Sequence, residues 1–264
     1  MKKALITLIG VFIFATAQYA FAAFKIDKYG EKYDIYPGKV VSGTILVENT
    51  SNKPITLNCY MSDIVFLPPF DGTKDYAPAG KTSYSCANWI SFSPKQFSLP
   101  PNRKQKVSYS IQVPETISGG YYGILFFEES SGSSEGIGVK FRIGCGFSLF
   151  APDKERNAVI EDIAIKGAAC EGKVLNKGNV ILPVKISYYI MDSKNEVAVK
   201  DNLNDITLPV GEKTLFSAKL PPKLEPGTYT LFMNFNLGDN KAVAKEVEFT
   251  KDESGELKIL QVKD

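Results

Sequence analysis

The 264-residue chain contains no histidine, which removes much of catalytic chemistry at once. Ser-His-Asp triads, Cys-His dyads and His-bearing metal sites all need an imidazole to carry a proton or bind a metal. Acid–base work by carboxylates would need two acids flanking one bond. The closest acidic pairs are Glu128-Glu129 and Glu161-Asp162, but neighbours on a strand project to opposite faces and cannot share a substrate. Gly132 and Gly136 fall in a Ser-rich hairpin loop and not between a strand and a helix, so they form no phosphate cradle. These residues indicate a protein that is not an enzyme and uses no cofactor or metal.

Cys59, Cys86, Cys145 and Cys170 fit neither a Cys-x-x-Cys redox site nor paired zinc knuckles. Outside the cytosol the natural reading is disulfides. Of the three pairings, Cys59 with Cys86 is favoured because both fall in the first half; Cys145 with Cys170 would then staple the domain junction. Buried free thiols are the alternative. Trp89 and Phe92 have two readings, as a stacking platform for a sugar or as core.

Binding is where the chain is most informative. From Ile137 to Leu149 every odd position is apolar (Ile137, Val139, Phe141, Ile143, Cys145, Phe147, Leu149) and every even one is Gly, Ser or a base. A strand sends alternate side chains to one face, so these residues predict a single apolar row about 40 Å long. That exceeds a usual strand, and the excess could serve a partner that lacks one.

The elements that must position this row follow from the rest of the chain. Lys2 and Lys3, the apolar run Ala4 to Ala17 and Ala20-Phe21-Ala22 predict a secretory signal peptide cleaved after Ala22. No other stretch is apolar enough to span a membrane, and no lipidation signal follows. Lys2 and Lys3 account for the formal charge of +2, and the neutral remainder argues against nucleic acid as a partner.

An internal echo predicts two copies of one module. Leu99-Pro100-Pro101-Asn102, a strand stopping at Val113-Pro114 and Gly120-Tyr121-Tyr122 recur as Leu208-Pro209-Val210-Gly211, a strand stopping at Leu220-Pro221 and Gly227-Thr228-Tyr229. The spacing from Val113 to Tyr122 equals that from Leu220 to Tyr229. Upstream, Glu48-Asn49-Thr50-Ser51-Asn52 matches Leu175-Asn176-Lys177-Gly178-Asn179. The first copy holds an insertion, placed at residues 66–87. Glu225-Pro226-Gly227-Thr228 reads as a type II turn, with Gly227 taking a positive φ.

Every strong periodicity after Ala22 has period two, and turn residues recur every 8–12 positions, the pattern of an all-β protein. The expected fold is two tandem immunoglobulin-like β-sandwiches after the cleaved signal peptide: residues 1–22 the signal peptide, 23–152 and 153–250 the sandwiches, and 251–264 a charged tail or extra strand.

This layout resembles the periplasmic pilus-assembly chaperones. The first domain is also similar to a wider group of bacterial surface sandwiches, through Tyr36-Pro37-Gly38, Val47-Glu48-Asn49, Trp89-Ile90, Leu99-Pro100-Pro101 and Ile111-Gln112-Val113-Pro114. The chaperone resemblance implies a periplasmic protein that lends a strand to an incomplete pilus or surface-fibre subunit. Ile137, Val139, Phe141 and Ile143 would be the client-binding side chains. An outer-membrane usher is the further partner that such assembly can use. In that family an Arg and a Lys in the interdomain cleft anchor the client's terminal carboxylate. Here Lys32 stands at the Arg position and Ser148 at the Lys position, which leaves Lys32 as the expected anchor. The competing readings are a secreted structural or adhesive sandwich protein and a carbohydrate-binding module.

Overall fold

The computed structural model describes residues 23–130 and 141–264. The strands of the first half are β1 (Phe24–Ile26), β2 (Gly30–Asp34), β3 (Val40–Asn49), β4 (Ile55–Phe66), β5 (Lys74–Pro78), β6 (Ile90–Ser93), β7 (Gln96–Leu99), β8 (Lys104–Gln112), β9 (Gly120–Glu129) and β10 (Arg142–Phe150). Those of the second are β11 (Ala158–Lys166), β12 (Ala169–Asn176), β13 (Leu182–Asp192), β14 (Val197–Asn202), β15 (Ile206–Leu208), β16 (Lys213–Lys219), β17 (Gly227–Gly238), β18 (Lys241–Lys251) and β19 (Leu257–Lys263). The described residues contain no α-helix, only a 3₁₀ turn at Ala87–Trp89.

The first ten strands make one sandwich, with β1-β3-β8-β6 facing β2-β10-β9-β4-β5, and β7 pairing the start of β4. The last nine make a second, β11-β12-β16 facing β14-β13-β17-β18-β19, with β15 on β13. Period-two alternation drives both. In β16, for example, Thr214, Phe216 and Ala218 are buried while Lys213, Leu215, Ser217 and Lys219 face out. The first core centres on Ile45, Leu57, Leu125, Phe127, Phe147 and Leu149, the second on Leu182, Leu231, Phe235, Val247 and Phe249. The segment after Lys251 forms β19, paired antiparallel to β18.

The repeated asparagines do the same work in each sandwich. Asn49 is fully buried, and its Nδ2 donates to the carbonyls of Lys53 and Leu99, each at 2.8 Å. Asn176 is equally buried, and its Nδ2 donates to Val180 at 2.8 Å and Leu208 at 2.9 Å. Each carboxamide oxygen accepts the amide two residues on, from Ser51 or Gly178. A buried carboxamide that satisfies main chain on both sides of a turn closes one end of the sandwich without orphaned carbonyls.

Two expectations fail. Gly227 is already extended as the first residue of β17 and takes no positive φ, because pairing with Lys251 carries the sheet into the expected turn. The cysteines form no disulfide: Cys59, Cys86, Cys145 and Cys170 are all free and buried. Cys145 packs in the first core and Cys170 in the second, so no staple crosses the junction. Cys59 and Cys86 share the first core without bonding and behave as small apolar side chains. Burial pushes the thiols of Cys59, Cys145 and Cys170 up to about 12, and that of Cys86 up as well.

The insertion joins the two halves. Phe70 belongs to the first sandwich by sequence, yet its ring is buried in the second core. Its carbonyl accepts the Thr207 amide at 2.7 Å, and the Pro69 carbonyl accepts the Thr214 hydroxyl at 2.8 Å. Behind it, fully buried Asp63 gathers the insertion's return path, accepting the amides of Gly80 and Thr82 and the hydroxyls of Thr82 and Ser85. At the same junction the Tyr122 hydroxyl accepts the Ile181 amide at 3.0 Å. Gly119, at φ +71°, lies so close to Asn179 that a Cβ would overlap its carbonyl oxygen.

Candidate client-binding edge

β10 pairs antiparallel with β9 along its whole length, from Arg142 opposite Glu128 to Phe150 opposite Gly120. On its other side β2 runs parallel, but only from Gly146 opposite Gly30 to Phe150 opposite Asp34. The covering ladder ends where the Gly146 amide donates to the Tyr29 carbonyl at 3.0 Å. Among the described residues, Arg142–Cys145 therefore keep one open edge. Edges of this kind accept another extended chain.

The apolar row changes character at the same point. Cys145, Phe147 and Leu149 are fully buried in the first core. Phe141 and Ile143 are only partly buried and rest on its margin. Ile137 and Val139, the other two expected client-binding residues, lie outside the described residues. The even positions face the opposite side, and a Cβ on Gly144 would strike Ile124 there.

On that opposite side, the Arg142 guanidinium carbon stands 4.2 Å from the centroid of the Phe126 ring and 5.2 Å from that of Tyr76. Arg142 Nη1 donates to the Tyr60 hydroxyl at 3.3 Å, and that hydroxyl donates to Glu128 Oε2 at 2.6 Å. Tyr76 meets Phe126 edge-on at 4.8 Å.

At the other end of β10, basic side chains gather around Phe150 where the first sandwich meets the second. Lys32 pairs in register with Ser148, so the two expected anchor positions are neighbours. The Nζ atoms of Lys32 and Lys154 each lie 5.2 Å from the centre of the Phe150 ring. Lys154 also bonds Asp34 at 3.0 Å. Arg156 is committed elsewhere, to Asp239 at 3.0 Å and the Leu237 carbonyl at 3.2 Å. The Arg156 hydrogen bond and charge, with Lys32 and Lys154 adding to the field, hold the Asp239 carboxyl below the usual range. Lys154 could not be singled out from sequence, where it is one base in the polar stretch between two strands.

Other candidates resolve as scaffold. Trp89 and Phe92 are partly buried against the first core, with the Trp89 ring 4.4 Å from Tyr121, while Phe92 also borders a shallow open depression beside Tyr109. Glu128 accepts from Tyr60, and Asp162 pairs with Lys173 at 2.6 Å. Among the described residues no acid and cysteine cluster could hold a metal, and no helix is long and apolar enough to cross a membrane.

No family model matches the chain, and no curated protein matches it. Solved structures do. A chain of the chaperone–tip adhesin complex of CFA/I fimbriae biogenesis is 16% identical with a TM-score of 0.53, the match covering 84% of this chain and 97% of that one. The class 5 fimbriae chaperone CfaA is 16% identical with a TM-score of 0.52, again over 84% and 97%. At that identity the likeness shows the fold alone: two tandem immunoglobulin-like sandwiches.

Proposed function

We propose that this protein is a periplasmic chaperone that captures a subunit of a surface fibre by lending it the open edge of β10. The observation that carries the reading is the unequal cover of that strand, sealed by β2 from Gly146 to Phe150 and open from Arg142 to Cys145. An incomplete client has the complementary defect, a groove lacking one strand. The donated backbone supplies ladder hydrogen bonds while Ile137, Val139, Phe141 and Ile143 fill the groove, and both partners lose an aggregation-prone edge. The client's terminal carboxylate is received beside Phe150 by Lys32, with Lys154 as the second cation. Two ammonium groups act there as point charges, without the forked geometry of Arg.

The test is purification of the protein from its native periplasm, with mass spectrometry of what accompanies it. A stoichiometric, small β-rich subunit is expected, and it should be lost when Val139 and Phe141 are both replaced by Glu while unfolding stays cooperative. Glycans, or no companion, would overturn the reading.

A further inference from the structure

The open end of β10 has a structural problem of its own. Among the described residues Arg142–Cys145 hold one strand neighbour instead of two, and each backbone residue that frays gains conformational entropy. A frayed edge is a poor template, since an incoming chain would have to order it. A slip of one residue would also turn Phe141 and Ile143 to the wrong face.

We infer that Arg142 is a register lock, a positioning residue that keeps this edge extended and correctly phased before any partner arrives. This rests on the strand-lending reading and deepens it. The lock draws on three strands besides its own: Tyr60 from β4, Tyr76 from β5, and Phe126 and Glu128 from β9. The guanidinium is planar and offers donors at its rim, so it lies against the rings and bonds the Tyr60 hydroxyl together, which an ammonium cannot do equally. Because Arg142 sits between Phe141 and Ile143, holding it on one face fixes both neighbours on the other. Glu128 stands directly opposite Arg142 in the ladder and fixes Tyr60 through its hydroxyl. The apolar row can then remain exposed at its margin without losing its phase, and an arriving strand meets an edge already shaped for it.

The test is amide hydrogen exchange, resolved to peptides, on the purified protein without any client. Arg142→Ala is expected to speed exchange over residues 141–145 about tenfold or more, the scale of a lost cation–aromatic cluster, while residues 146–150 keep their protection. Arg142→Lys retains the charge and should recover only part of the protection. Unchanged exchange over 141–145 in Arg142→Ala would overturn the inference. So would equal loss over 146–150, which would make Arg142 a strut of the whole sandwich, or full protection in Arg142→Lys, which would make it a simple charge. Since no client takes part, failure here leaves the chaperone reading standing, and absence of a client leaves the lock standing.

Discussion

The amide of Gly146 donates to the carbonyl of Tyr29 across 3.0 Å, and this bond marks where β10 passes from a shared strand to an open one. On the Phe150 side the strand has neighbours on both edges and its apolar row is sealed. On the Arg142 side it has, among the described residues, one neighbour, and Phe141 and Ile143 are half-covered. One continuous pattern of residues thus serves two energetic roles.

The division predicts a gradient of mutational cost. Phe147→Ala should destabilise the protein by about 3–5 kcal/mol, because a fully buried ring leaves a cavity. Ile143→Ala, at the margin, should cost about 1 kcal/mol. Urea denaturation measures both, and equal costs would mean that Ile143 belongs wholly to the private core.

The buried asparagines should be interchangeable in their importance. Asn49→Ala and Asn176→Ala each strip partners from two carbonyls, and each is expected to cost about 1–3 kcal/mol. Asn→Asp at either site keeps the acceptor but loses the donor, and should not restore stability. A neutral result for either alanine variant in the same denaturation assay would refute the shared role.

Removing Phe70 should weaken the second sandwich although the residue belongs to the first. Phe70→Ala is expected to cost about 3 kcal/mol or more through the cavity it leaves in that core. Hydrogen exchange should register the loss in β13 and β16. If only the first sandwich loosens, the loop does not bind the halves together.

Asp63 gives a pH signature. Burial opposes its ionisation, but the hydrogen bonds from Ser85, Thr82 and Gly80 outweigh that and hold its carboxyl below the usual range. A carboxyl depressed in the folded state contributes stability that is complete above its unfolded value, about 3.9. That contribution fades as pH falls through the lower folded value. Asp63→Asn should therefore lower stability near neutral pH and flatten the acid limb of the denaturation midpoint against pH. An acid limb as steep as the parent's would exclude Asp63 as its source.

The thiols should be silent in the native protein. Desolvation raises all four, so a thiol reagent at pH 8 should titrate none before unfolding and all four of Cys59, Cys86, Cys145 and Cys170 in denaturant without reductant. Recovery of only two in denaturant would mean that one disulfide forms.

Local chemistry made much of this legible in the residues alone. Strict alternation determines which side chains from Phe141 to Leu149 share a face, since a strand offers only two, and the recurrence of Asn49 as Asn176 reveals a duplicated sandwich because the same turn needs the same buried carboxamide. The extra length between Asn49 and Leu99 betrays an insertion. What alternation cannot tell is which edge of a strand is covered, because that depends on pairing with residues far away in the chain. Only the tertiary structure decided that the cover of β10 by β2 reaches no further than Gly30, that Phe70 crosses into the neighbouring core, that Lys154 joins Lys32 over Phe150, and that the cysteines lie in surroundings that leave them unbonded. Each is a relation in space between segments whose separation along the sequence carries no distance.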